Sequence, residues 1–95
     1  MSGIPKYKLT TVAAGAGAAL GSKQLWGLSL IGGSADTVVI CEDAATDTGT
    51  VRFSDSVLAK TSSHVCLEEY GSIVFDTDIF VKVTGTAGVA YVWTS

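Results

Sequence analysis

The chain has 95 residues, of which 47% are hydrophobic and 16% are charged, and its formal net charge is −3. This length allows one domain, and the hydrophobic fraction excludes a disordered segment, which could not offset the entropy lost on ordering. The basic residues form no clustered footprint for phosphates and no segment reaches the ~20 apolar residues of a spanning helix, so neither nucleic acid nor a membrane is an expected partner.

The first part of the chain predicts an arm followed by one strand. Residues 1–6 contain glycine and proline but no strand pattern, and we interpret them as an N-terminal arm that precedes a single β-sandwich domain over residues 7–95. Residues 7–12 alternate along the chain and predict the first strand. Residues 13–22 are rich in glycine and alanine, and glycine at this density disfavours a helix, so a loop is predicted there.

The remainder of the chain predicts short strands separated by turn signals. Residues 23–31 alternate between two faces, and residues 37–42 form a β-branched run after a glycine-containing turn. Further strands are predicted at residues 50–54, 57–60, 62–68, 71–75, 79–84 and 89–93, with a helix at residues 55–60 as an alternative. Seven to eight short strands of this kind predict an all-β fold, either an antiparallel β-sandwich or a jelly roll.

No group of residues in the sequence predicts catalysis. His64 is the only histidine and shares a strand face with Cys66, but no orienting acid or oxyanion loop accompanies the pair. Cys41 lies in an apolar run and is expected to be a buried thiol, with Cys66 a packed one. A Cys41–Cys66 disulfide is an alternative, although cysteine-poor chains outside secreted proteins seldom form one. We therefore expect a protein that is not an enzyme and whose cysteines are reduced.

Acidic residues near two turns are the candidates for a metal site. Carboxylates and loop carbonyls are the ligands that hard cations prefer. The spacing of these acids matches no EF-hand loop, and acids in turns are commonly solvated, so neither a metal nor another cofactor is predicted. The residues concerned are Glu42, Asp43, Asp47, Asp76 and Asp78.

Aromatic side chains indicate a contact surface. Tyr91 and Trp93 alternate with alanine and valine, so the last strand is apolar on both faces. Unless sheet curvature buries both faces within one subunit, one of them is expected to contact a second chain. Phe80 points away from the apolar positions of its own strand, and the arm is expected to insert Ile4 into a neighbour. The predicted interface comprises Ile4, Tyr7, Phe80, Tyr91 and Trp93.

Three segments of the chain resemble small virion proteins of tailed bacteriophages. They are residues 28–40 (LSLIGGSADTVVI), 43–50 (DAATDTGT) and 71–87 (GSIVFDTDIFVKVTGTA), which correspond to a hairpin, a turn, and a glycine-introduced stretch that ends in a VTGT turn. The resemblance extends from Trp26 to Trp93. Asp78 occupies a turn position where glycine is frequent in such proteins.

The resemblance implies a β-sandwich building block of a virus particle, without catalytic residues. The leading expectation is a capsid decoration or cement protein that bridges subunits of the major capsid protein on the outer surface of the virion, assembled in the host cytoplasm. Self-association is also expected, and a homotrimer is the favoured state because such a protein would occupy a three-fold position of a shell.

Two alternatives stay open. One is a tail or fibre component of the same kind of particle. The other is a carbohydrate-binding or host-recognition module in which Trp26, Tyr91 or Trp93 stacks on a sugar. Stacking requires an exposed aromatic face beside polar groups, whereas a cement protein covers its rings in contacts with other subunits.

Overall fold

The computed structural model describes residues 7–15, 17–68 and 71–95. The predicted arm, and Ile4 within it, lie outside these residues. The described part contains strands only, namely β1 (Lys8–Ala13), β2 (Gly17–Ala19), β3 (Gln24–Ile31), β4 (Thr37–Asp43), β5 (Thr50–Val57), β6 (Ser62–Cys66), β7 (Ile73–Val74), β8 (Ile79–Thr84) and β9 (Val89–Thr94).

The strands form two antiparallel sheets that pack together as a sandwich. The sheet that contains β1, called the β1 sheet below, has the order β1-β9-β3-β6. The short β7 pairs with the first two residues of β3, Gln24 and Leu25. The other, called the β2 sheet, has the order β2-β8-β4-β5. With β7 set aside, this order of strands in two four-stranded sheets is that of a jelly roll. The predicted fold class, an antiparallel sandwich with jelly-roll-like winding, is confirmed.

The core lies between the two sheets and is built by alternation along their strands. Successive side chains of a strand point to opposite faces, and in β9 every second residue is accordingly buried. Full burial of one large apolar side chain contributes about 1.5–3 kcal/mol relative to leaving it exposed. The largest fully buried side chains are Phe75, Leu25, Leu28, Leu30, Ile79, Val39, Val81, Val83, Val92, Thr37, Thr94 and Cys41.

Turns that hydrogen-bond to one another close one end of the sandwich. In the turn between β3 and β4, Ser34 donates its N–H to the carbonyl of Thr86 (3.1 Å), and the carbonyl of Gly33 accepts the N–H of Lys60 (2.9 Å). A Cβ atom at Gly33 would overlap the carbonyl oxygen of Thr86. Glycine is required at this position because the two backbones approach too closely for any side chain.

The loop predicted at residues 13–22 is wrong in part, because it contains β2. This strand pairs with β8, and Gly17 lies beneath the ring of Phe80, where a Cβ atom would be 2.7 Å from a ring carbon. Because Gly17 has no side chain, the Phe80 ring packs directly over β2, an edge strand of this sheet. Glycine and alanine lack the β-branched pattern that predicts a strand, so no local signal in the sequence indicates β2.

β5 is longer than predicted, and no helix follows it. The strand continues to Val57, so both the helix alternative at residues 55–60 and the separate strand at residues 57–60 are wrong. Residues 58–61 form a turn in which the carbonyl of Leu58 accepts the N–H of Thr61 (3.1 Å). Lys60 has a positive φ of 62°, which is incompatible with an extended strand at this point.

β5 is an edge strand of the β2 sheet, and it points one charged side chain inwards. Asp55 lies directly opposite the fully buried Val39, and residues opposite each other in an antiparallel pair point to the same face. The Oδ1 atom of Asp55 accepts the N–H of Ser56 (2.9 Å). Its Oδ2 atom is buried, with no hydrogen-bond partner in the part of the chain that the structure describes.

Asp78 fixes the turn before β8 onto the segment that leads into β3. Its Oδ1 atom accepts the N–H groups of Gly21 (3.0 Å), Ser22 (3.4 Å) and Ile79 (2.7 Å). A carboxylate that gathers three backbone donors holds two chain segments together, which glycine could not do. This contact accounts for an acid in the turn before β8.

Candidate functional site

The outer face of the β1 sheet carries no charged side chain on its four main strands. Residues directly opposite each other across neighbouring strands share a face, so the pairing registers place the outward side chains in rows. The absence of charge extends over every position of these rows. The first row is Leu9, Trp93, Gly27 and Cys66, the second is Thr11, Tyr91, Ser29 and His64, and the third is Ala13, Val89, Ile31 and Ser62.

The outer face of the β2 sheet differs because it is charged. Phe80 lies there directly opposite Glu42, and the Glu42 carboxylate is 3.7 Å from the ammonium of Lys82. Of the predicted interface residues, the structure therefore brings Tyr7, Tyr91 and Trp93 together on the β1 sheet and places Phe80 on the opposite side of the molecule. The Phe80 ring is half-buried and packs over Gly17.

A groove of about 210 Å³ opens in the uncharged face above Gly27. It exists because Gly27 contributes no side chain between its cross-strand neighbours Trp93 and Cys66. A shift of register between Leu25 and Gly27 marks a β-bulge, and bulges commonly re-aim a side chain. The groove is lined by Tyr7, Trp26, Gly27, His64, Val65, Cys66, Glu68 and Trp93.

Two pairs of rings line the groove. The Tyr7 and Trp26 rings are in contact, with centroids 5.4 Å apart and planes inclined by 41°. The His64 and Trp93 rings meet edge to face, with centroids 6.1 Å apart. Both arrangements are favourable for aromatic groups, and each fixes the position of a ring that would be mobile alone.

Hydrogen bonds hold the polar groups of the groove in place. The hydroxyl of Tyr7 donates to Oε2 of Glu68 (2.9 Å), and this bond, with the nearby carboxylate charge, raises the pKa of Tyr7. His64 forms a hydrogen bond through Nδ1 with the hydroxyl of Ser29. The carboxylate of Glu68 is the single formal charge among the lining side chains that the structure describes. The groove is therefore apolar and aromatic, with one fixed negative group.

The two cysteines have different environments. Cys41 faces the core from β4, and burial raises the pKa of its thiol to about 12. Cys66 is exposed and lines the groove, so the expectation that it is a packed thiol is wrong. Both thiols are free, because one faces the interior from the β2 sheet and the other faces outwards from the β1 sheet.

His64 and Cys66 both line the groove, as their spacing on one strand predicts. The hydrogen-bond partner of His64 is the Ser29 hydroxyl, and no carboxylate contacts its ring within the described residues. The pair thus has no group that would orient the imidazole as a base. Nothing in its geometry supports nucleophilic chemistry.

Among the acidic residues near the turns, Asp43 accepts hydrogen bonds from backbone N–H groups and from an arginine side chain. Asp43, whose side chain is only 8% exposed, accepts the N–H groups of Thr77 (2.8 Å) and Asp76 (3.1 Å) and a bond from Arg52 (3.0 Å). These hydrogen bonds, those from the backbone foremost, lower the pKa of Asp43. Across the described ranges, no three His, Cys, Asp or Glu side chains are grouped so as to hold a metal ion.

No protein-family model, curated protein or solved structure matches the chain. The described residues include no helix that could span a membrane. A functional inference for this chain accordingly depends on its own surface, because a fold as widely used as the jelly roll hosts many functions.

Sequence reasoning identified Tyr7 and Trp93 but missed Gly27 and Glu68. The position of Glu68 in the groove follows from the end of β6, which the sequence did not define. A glycine beside a tryptophan in an otherwise apolar strand was the one available signal, since such glycines often mark a bulge or the close approach of a ligand.

Proposed function

We propose that the protein is a non-enzymatic structural component of a tailed-phage virion, most specifically a capsid decoration protein that attaches to the major capsid protein. The observation that carries this proposal is the uncharged outer face of the β1 sheet. Protein interfaces are depleted of charge and enriched in aromatic side chains at their centre, and Tyr91 and Trp93 occupy the central strand pair of this face.

The fold and the sequence add support of a weaker kind. Jelly rolls are common in viral capsid and lectin domains, which is an analogy and not a demonstration. The resemblance of three segments to small phage virion proteins points in the same direction. A sheet face without charged side chains on its main strands is well suited to lie on a shell, because covering it removes no charged group of those strands from water.

Self-association into a trimer belongs to the same proposal. Copies with a net charge of −3 repel one another weakly, so the surface most favourable for contact is the one without charge. Each ~100 Å² of apolar area covered contributes on the order of 2.5 kcal/mol before the costs of ordering.

A charge placed in the middle of the face tests the proposal. Thr11 is exposed and lies opposite Tyr91, so Thr11→Lys puts an ammonium group into the proposed contact. Ser54→Lys is the matched control, because Ser54 is exposed on the outer face of the β2 sheet, opposite Ile40. Thr11→Lys is expected to abolish self-association in sedimentation and binding to phage heads, whereas Ser54→Lys leaves both unchanged.

Fractionation of infected cells gives the location. Recovery of the tagged protein with intact heads supports the decoration role. Recovery with tails moves the same structural role to a tail or fibre component. A wild-type protein that sediments only as a 9.7 kDa monomer and co-purifies with neither heads nor tails contradicts the proposal.

A further inference from the structure

The groove above Gly27 has features that select for a particular chemical group. Its lining includes the aromatic rings of Tyr7, Trp26 and Trp93, and its one charged side chain among the described residues is the carboxylate of Glu68. Cations bind over the faces of Trp and Tyr rings at up to about 6 Å from the ring centroid. No lysine or arginine side chain lines the groove among the described residues, so a cation would meet attraction there without competition.

We propose that this groove binds a guanidinium group, supplied by an arginine side chain on the surface of a partner protein. The planar guanidinium stacks on the indole of Trp93 and donates N–H bonds to Glu68. The identity of the partner rests on the function proposed above, but the binding of the cation does not.

The arrangement of the rings favours guanidinium over a quaternary ammonium group. A quaternary ammonium is held by several rings that surround it and has no N–H to donate. Here the centroids of the Tyr7 and Trp26 rings are 5.4 Å apart, so no slot for a cation remains between the two rings. Together they line one wall of the groove. A planar cation that stacks on one side and donates in its own plane fits a wall with a carboxylate at one end.

The carboxylate of Glu68 has acceptor capacity for such a bond. Tyr7 donates to Oε2, and no other donor within residues 7–15, 17–68 and 71–95 bonds to this carboxylate, which has about four acceptor sites. The Tyr7 hydroxyl also fixes the carboxylate in place before the ligand arrives, which reduces the entropy lost on binding. A lysine ammonium would gain the charge interaction but not the stacking of a flat group.

The two tryptophans provide a direct assay. The chain contains 2 tryptophans, and both line the groove, so the indole N–H signals in an NMR spectrum report on this site alone. Full-length protein is titrated with N-acetyl-arginine methylamide. The neutral comparison is N-acetyl-citrulline methylamide, which has nearly the same shape without the charge. The arginine compound is expected to shift both indole signals in a saturable manner, and the citrulline compound to bind about fivefold more weakly or worse.

Two variants that each remove one negative charge test whether Glu68 is the carboxylate that binds the arginine compound. Glu68→Gln keeps an acceptor for Tyr7 but removes the charge, and it is expected to weaken arginine binding by about fivefold. Asp47→Asn removes one charge from an exposed turn away from the groove and is expected to leave binding unchanged. Because Glu68 is exposed, its variant should fold normally, and circular dichroism verifies this. Gly27→Ala adds a methyl group 3.1 Å from the Val65 carbonyl oxygen and 3.8 Å from the Trp93 ring, and it should also weaken binding because both groups line the groove.

Several results would overturn the proposal. It fails if the arginine compound causes no saturable shift, if citrulline binds equally well, or if Asp47→Asn weakens binding as much as Glu68→Gln. Tighter binding of tetramethylammonium or of a methyl glycoside would identify the groove as a site for another ligand class. If arginine binds but Glu68→Gln attaches to phage heads as well as wild type, the partner assignment is wrong while the proposed structural role stands.

Discussion

The carboxylate of Asp43 accepts the backbone N–H of Thr77 at 2.8 Å, so the end of β4 is fixed to the turn that precedes β8. This bond, with those from Asp76 and Arg52, holds the pKa of Asp43 below its ordinary value of 3.8. A carboxyl group whose pKa is lower in the folded state binds fewer protons there than in the unfolded state. Its stabilising effect is therefore complete well above pH 3.8 and is lost as the pH falls through the folded-state pKa.

Asp43→Asn is accordingly expected to lower the melting temperature at pH 7 and to reduce the further loss of stability as the pH falls below the ordinary carboxyl value of 3.8. Thermal melts followed by circular dichroism across this range measure both effects. Asp47→Asn is the control, because Asp47 is exposed and its carboxylate accepts no hydrogen bond from the residues that the structure describes. Parallel pH profiles for wild type and Asp43→Asn would show that Asp43 does not contribute to the acid sensitivity.

The two cysteines are expected to differ in reactivity by their burial. Under native conditions at about pH 8, iodoacetamide should modify Cys66 and leave Cys41 untouched, because the thiolate is the reactive form and burial suppresses it at Cys41. Intact-mass measurement should give one adduct in the native protein and two in denaturant. Two adducts without denaturant would contradict the packing of β4 described above.

The same pair predicts a difference in stability. Cys41→Ala removes a buried sulfur from the core and is expected to cost about 1–2 kcal/mol of unfolding free energy. Cys66→Ala changes an exposed position and is expected to stay within about 0.5 kcal/mol of wild type. Urea denaturation of the two variants tests this directly, and equal losses would show that the two sites do not differ in packing.

Gly33→Ala is expected to be strongly destabilising, by about 2–3 kcal/mol, because the added methyl group overlaps the backbone at Thr86. The neighbouring Ser34→Ala is the control, since Ser34 contacts the same turn through its backbone N–H and keeps that bond. Chemical denaturation measures both variants. If Gly33→Ala were as stable as Ser34→Ala, the close approach of the two turns would not exist in solution.

The sequence predicted the fold class because its strands follow a strict alternation. In residues 89–93 the two-residue period assigned Tyr91 and Trp93 to one face, and the structure places them there. The expectation that Cys66 is packed followed from the residue type, since free cysteines are commonly buried, whereas the register of β6 places this thiol on the outer face. β2 was missed because it is defined by its pairing with β8, a contact between distant residues, and its glycine and alanine residues carry no local strand signal.

The groove was not predictable for a similar reason. The groove depends on the absence of a side chain at Gly27, between its cross-strand neighbours Trp93 and Cys66. These three residues become neighbours only through the register of the assembled sheet. Glu68 was visible in the sequence only as one acid among others. Its role follows from where β6 ends and from the position of the Tyr7 hydroxyl.

The inward carboxylate of Asp55 has a consequence for behaviour at high local concentration. An incoming strand that paired with β5 would seal the side of the sandwich and leave this acid further from water, which is energetically unfavourable. Growth of open-ended filaments through this edge is thereby discouraged even where many copies are crowded together. Pairing of a second copy with this edge strand is therefore disfavoured, whereas the four main strands of the β1 sheet carry no acidic side chain on their outer face.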